Sequence, residues 1–152
     1  GECEVMREFA GKLPMDVVSE MLGVPAADRD RLRGWADTVL HREPGQMQVP
    51  PAGVEASMQL FRYFGELVQA RRRQPGADLV SALLAAELDG AQLGDRELVA
   101  FLFLMIIAGN ETTTKLIGNA LYWLWRNPGE RERLRRQPEL LPNWIEETLR
   151  YD

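Results

Sequence analysis

Apolar residues recur along this chain at three- and four-residue spacings, and apolar–polar alternation is nearly absent, so helices are the dominant expectation. Pro14 suits the first turn of a helix over Met15 to Leu22, Gly23 its stop, and Pro25 the opening of the next helix. That next helix is expected to run to about Arg42. Its stripe Leu32, Trp35, Ala36, Val39 and Leu40 is read as buried, with Arg29, Arg33 and Asp37 facing water. Prolines and glycines then break the pattern from Glu43 to Gly53, which reads as a surface loop. A further amphipathic helix is expected through Val54, Met58, Phe61, Gly65 and Val68, ending near Arg73. Leu79 to Glu87 reads as a short helix, and Asp89-Gly90 as a turn that supports a small hairpin.

The longest helical signal opens at Gly94-Asp95 and meets no proline until Pro128. About 31 residues at a rise of about 1.5 Å span roughly 46 Å. From Leu98 to Ala108 this helix is apolar on every side, which predicts a central, buried element. Asn127-Pro128-Gly129-Glu130 has the form of a capping box with proline at the first helical position. Two short helices are predicted after it, Glu130 to Arg136 and Pro142 to Tyr151, burying Leu134, Leu141, Trp144, Ile145 and Leu149. The fold class is all-α.

Charge and composition narrow the function. With 18 Lys and Arg against 23 Asp and Glu, the net charge of −5 lacks the basic face that phosphate binding needs, so no nucleic-acid partner is expected. Arg71-Arg72-Arg73 reads as a solvated helix end. The single cysteine, Cys3, excludes an internal disulfide and fits a reducing compartment. The uninterrupted apolar run of Leu98 to Ala108 falls short of the roughly 20 residues that cross a bilayer, so no membrane is expected and the cytoplasm is the default location. The chain starts without Met and stops at Asp152 inside a helical pattern, which predicts a domain truncated at both ends.

Chemistry concentrates where the apolar run of the long helix gives way to Ala108-Gly109-Asn110-Glu111-Thr112-Thr113. Glycine and threonine are poor helix-interior residues, so stability alone does not favour them there. Small Ala108 and Gly109 allow a flat ligand to approach the backbone. Thr112 can bond back to the Ala108 carbonyl and locally widen the helix, a distortion often found at functional sites.

These residues resemble the oxygen-binding helix signature of the cytochromes P450, Ala/Gly-Gly-x-Asp/Glu-Thr-Thr/Ser, at all five specified positions. Such a match arises by chance in about one chain in a thousand of this length. Glu147-Thr148-Leu149-Arg150 is similar to the family's Glu-x-x-Arg motif, and it follows in the family's order after Arg126-Asn127-Pro128-Gly129-Glu130. Upstream, Asp16 to Pro25 and Pro75 to Leu84 are similar too, most of all to soluble bacterial members.

The resemblance implies that residues 1–152 form one incomplete domain, the central part of a haem-thiolate monooxygenase, with the N-terminal part and the C-terminal cysteine-ligand loop missing. It implies that Thr112 donates a hydrogen bond to dioxygen and that Glu111 relays protons from solvent. Ala108, Gly109, Thr112 and Thr113 would line haem b, and Leu104, Ile107 and Ala108 would face a small, largely apolar substrate that is hydroxylated or epoxidised. Electrons would come from NAD(P)H through a ferredoxin-type redox partner, and the remainder of the polypeptide would complete the site. No metal ligand is assigned in this segment. Cys3 lies before the long helix, without the glycine-rich setting of the family's iron ligand, and is rejected. Glu147 and Arg150 are read as structural, and His41 as a solvated helix end. Trp123, Trp125 and Trp144 are read as core. The isolated segment is expected to be inactive, and the competing expectation is a non-enzymatic helical ligand-binding or regulatory domain.

Overall fold

A computed structural model describes residues 3–87 and 90–151. Its seven α-helices are α1 (Lys12–Met21), α2 (Ala26–Leu40), α3 (Pro51–Arg73), α4 (Leu79–Ala85), α5 (Asp95–Arg126), α6 (Pro128–Arg136) and α7 (Leu141–Tyr151). A π-helical turn, Met6–Ala10, and a 3-10 turn, Pro138–Leu140, are the other helical segments among the described residues. The all-α expectation holds: no strand occurs among the described residues. The Asp89 half of the predicted hairpin lies outside the described residues. Gly90 takes a left-handed φ of 78°, and Ala91 makes only an isolated bridge.

The chain divides into two compact units, with the division inside α5. The larger, Met15–Asn110, holds a core built from Met15 and Val18 of α1, Leu22 of the turn after it, Leu32 and Ala36 of α2, Leu60, Phe64, Leu67 and Val68 of α3, Val80 of α4, and Leu98, Leu102 and Ile106 of α5. Helices α2 and α3 pack antiparallel. Near one end of the pair, the Tyr63 hydroxyl donates to Asp28 at 2.9 Å. Near the other, a Cβ on Gly53 would lie 3.2 Å from the Thr38 carbonyl oxygen, so glycine permits the close approach.

Several expectations are corrected here. Helix α3 starts at Pro51, not Val54, because Pro50 and Pro51 fit the helix entry. Its buried stripe is Ala56, Leu60, Phe64, Leu67 and Val68, whereas Val54, Met58 and Phe61 are exposed. The sequence offers two overlapping apolar stripes of the same periodicity on this helix, and packing against the core selects the one through Leu60 and Phe64. Arg29 does not face water. Its guanidinium lies 3.9 Å from Asp16 and 3.8 Å from Glu20. Nor is Arg71 a solvated helix end: it is mostly enclosed and bound to Asp78 and to the Gly23 carbonyl. Helix α5 is not buried all round. In the larger unit it packs through Leu98, Leu102 and Ile106, and the described residues leave Phe101 and Leu104 exposed.

The smaller unit joins residues 1–14 to residues 111–152. Met6 seats its thioether where a side chain on Gly118 would otherwise stand. Asn127 caps no amide of α6 through its side chain. It donates to the Trp123 carbonyl at 2.9 Å, and Glu130 turns to Arg133 at 3.5 Å, so the predicted capping box does not form. Leu141, Ile145 and Leu149 of α7 are exposed and Thr148 is its buried residue. Trp125, 65% exposed, is likewise no core residue, while Trp123 and Trp144 are half-buried.

Candidate functional site

The residues singled out from sequence lie on successive turns of α5, which is α-helical without interruption from Asp95 to Arg126. The expected local widening at Thr112 is therefore not formed. In the larger unit, Leu104 is 61% exposed and Ala108 and Gly109 are also exposed. Ile107, by contrast, is partly buried against the core, which takes it off the open side that Leu104 shares with Ala108. A Cβ built on Gly109 would touch only Val18, at an ordinary 3.8 Å. Packing in this unit does not demand glycine there, so an explanation from outside the unit is needed. Asn110 is 3% exposed and its Oδ1 has no hydrogen-bond partner.

In the smaller unit, Glu111 is half-buried while Thr112 and Thr113 are exposed. The Glu111 carboxylate accepts a hydrogen bond from the Lys115 ammonium at 2.6 Å, one helical turn on. Lys115 was not picked out by motif reasoning. The signal for it was present in the i, i+4 spacing from Glu111, the favourable order for an acid–base pair on a helix.

Glu147 and Arg150 form a two-pronged ion pair, with contacts of 2.7 and 2.6 Å. The guanidinium hydrogen bonds hold the Glu147 carboxyl below its usual range, and the carboxylate raises Arg150 in turn. Both side chains are well exposed here. Cys3 is exposed, and no cluster of three or more His, Cys, Asp or Glu side chains that could hold a metal occurs among the described residues. His41 ends α2 and lies 3.4 Å from Glu43, as a solvated helix terminus does. Helix α5 is long and apolar enough to cross a bilayer by length and composition, yet it buries Leu98, Leu102 and Ile106 in a protein core and carries Glu111 and Lys115 midway.

Ala108 and Gly109 in the larger unit, and Thr112 and Thr113 in the smaller, are each of a size that suits the edge of a flat, largely apolar group. They are small and open, and the glycine leaves room that no neighbour claims. They supply no ligand to a central metal.

Residues 53–138 match the cytochrome P450 family. The chain is 57% identical over 149 residues to the candidate cytochrome P450 123 of Mycobacterium tuberculosis, covering 98% of this chain and 37% of that protein. It is 42% identical over 151 residues to cytochrome P450 107B1 of Saccharopolyspora erythraea, covering 99% and 36%. Among solved structures, CYP109E1 of Bacillus megaterium in complex with corticosterone aligns with a TM-score of 0.87 and 39% identity, over 98% of this chain and 40% of that one. This chain belongs to the cytochrome P450 family. It spans a little over a third of the length of the relatives it matches.

Proposed function

We propose that these 152 residues are the oxygen-activating part of a haem-thiolate monooxygenase, which inserts one oxygen atom into a small, largely apolar molecule. The observation that carries this reading is the open stretch of α5 at Ala108, Gly109 and Thr112, beside a carboxylate at Glu111, in a chain of this family. Haem b, ligated by a cysteine elsewhere in the polypeptide, supplies dioxygen binding and electron transfer when bound. Ala108, Gly109, Thr112 and Thr113 would line its edge.

Two protons must reach the oxygen atom that leaves as water, and a hydroxyl followed by a carboxylate on one helix turn can pass them inward from solvent. Thr112 offers its hydroxyl hydrogen, and Glu111 restores it from water. Leu104 and Ala108 face substrate. Ile107, packed against the core, lies off that surface. Corticosterone, held by the Bacillus megaterium neighbour, is the kind of ligand such an apolar wall suits. The Pro/Gly-rich stretch from Glu43 to Gly53, whose last three residues form the start of α3, is the candidate lid over the substrate entrance. Electrons arrive from NAD(P)H through a ferredoxin-type partner, and the enzyme works in the cytoplasm. The 152-residue segment alone is inactive and binds haem weakly.

Thr112→Ala in the complete enzyme tests the relay. The expected result is continued NAD(P)H consumption with product replaced by hydrogen peroxide, and unchanged coupling refutes it. For the segment alone, the red-shifted absorption band of a reduced, CO-bound haem thiolate would refute the claim that it binds haem weakly.

A further inference from the structure

We infer that Lys115 is a positioning residue for the proton relay, holding the Glu111 carboxylate in the orientation from which it serves Thr112. The inference rests on the relay reading above and adds a residue to it. The Lys115 ammonium lies 2.6 Å from Glu111 Oε1. Both residues belong to the smaller unit and to one stretch of α5, so their register is fixed by the helix itself.

Three physical points support a role beyond a solvated pair. An unheld glutamate on a helix samples several rotamers of three torsions, and a relay group must keep within hydrogen-bond reach of its partner. One strong charge-assisted bond at i, i+4 selects among those rotamers. Lys115 is also three residues from Thr112 and four from Glu111, so by helical periodicity it stands on the side of α5 that carries both. Finally, the pair is unequal. The lysine side chain is 67% exposed and the glutamate 35%, so the ammonium sits on the water side and the carboxylate between it and the helix. A carboxylate so placed reaches solvent protons on one side, and a modest swing of the lysine stem releases it.

An exposed pair of this kind is worth a factor of about two to five in an equilibrium, so the effect expected is of that size. The test uses the complete haem-loaded enzyme with its redox partner and corticosterone as the probe. Lys115→Gln should raise the share of electrons released as hydrogen peroxide about threefold, within the range just given. It should also enlarge the solvent deuterium isotope effect on oxygen reduction, with thermal stability unchanged. Lys115→Arg should restore both. A crystal structure of the Lys115→Gln enzyme should show the Glu111 carboxylate in more than one orientation. The inference is overturned if Glu111→Gln uncouples the enzyme while Lys115→Gln matches wild type in peroxide yield, isotope effect and carboxylate orientation. If Glu111→Gln is itself without effect, the relay reading falls and this inference with it.

Discussion

The Arg71 guanidinium binds the Asp78 carboxylate through Nε and at the same time donates from Nη2 to the Gly23 carbonyl oxygen at 2.8 Å. One side chain thus ties together the end of α3, the start of α4 and the turn between α1 and α2. Asp78 completes the junction by accepting from the Ser81 amide at 2.9 Å as the N-cap of α4. Gly23 is required there twice over. Its φ is 71°, and a Cβ would meet the Asp78 carboxylate and come within 2.8 Å of Arg71 Nη2.

Asp78 gives the first prediction. Desolvation pushes its carboxyl up, but the Ser81 amide and the Arg71 guanidinium outweigh burial and hold it below the ordinary value of 3.8. A carboxyl depressed in the fold contributes stability that is present above its unfolded value and lost as pH falls through the folded one. Acid unfolding below about pH 4 should therefore be partly due to Asp78. Asp78→Asn should cost about 1 kcal/mol at neutral pH, the loss of the charge pair with Arg71, since an asparagine still caps the helix. It should also flatten the acid limb of a urea-denaturation series against pH. An unchanged acid limb would count against this account.

Tyr63 and Asp28 give the second. Burial raises the Tyr63 phenol well above its ordinary value of 10.0, and the hydrogen bond to Asp28 adds to the shift. Here the folded value exceeds the unfolded one. The stability contributed is complete below pH 10 and is lost as pH rises beyond it. Spectrophotometric titration should find one tyrosine that ionises only on alkaline unfolding, and Tyr63→Phe should abolish that step. The substitution should cost about 1 kcal/mol, since Asp28 keeps a second partner in Arg31 at 2.9 Å.

These two junctions were invisible in the sequence, and the reason is physical. Arg71 and Asp78 reach a turn 48 residues away from Arg71, and Tyr63 reaches back 35 residues to Asp28. Such pairings depend on tertiary approach, which local pattern does not encode. Helix existence was legible because proline, glycine and apolar spacing act within a few residues, as at Gly23 and Pro25, whereas Pro51 reads as loop from sequence and in fact opens α3. Which face is buried was less so. Val54, Met58 and Phe61 satisfy the same periodicity as Leu60, Phe64 and Leu67, and only the packing partner decides between them. The candidate site stood out in the sequence because Gly109 and Thr112 are costly in a helix interior. Lys115 was overlooked since a lysine on a helix surface carries no such cost.

Gly109 gives the third prediction, and it separates local folding from cofactor fit. The nearest neighbour to an added Cβ is Val18 Cγ2 at 3.8 Å, an ordinary van der Waals separation, and the residue is α-helical. Alanine is the better helix former by about 1 kcal/mol, so Gly109→Ala should leave the helix intact and raise or preserve stability. The second methyl-bearing branch of Gly109→Val adds bulk on the same exposed side at a smaller helical gain. If the glycine serves only the helix, both variants of the complete enzyme should bind haem as wild type does. If it makes room for a flat cofactor, haem content should fall in the order glycine, alanine, valine while the thermal transition of the cofactor-free protein stays within a few degrees. Measured haem per polypeptide, set beside that transition, decides between the two.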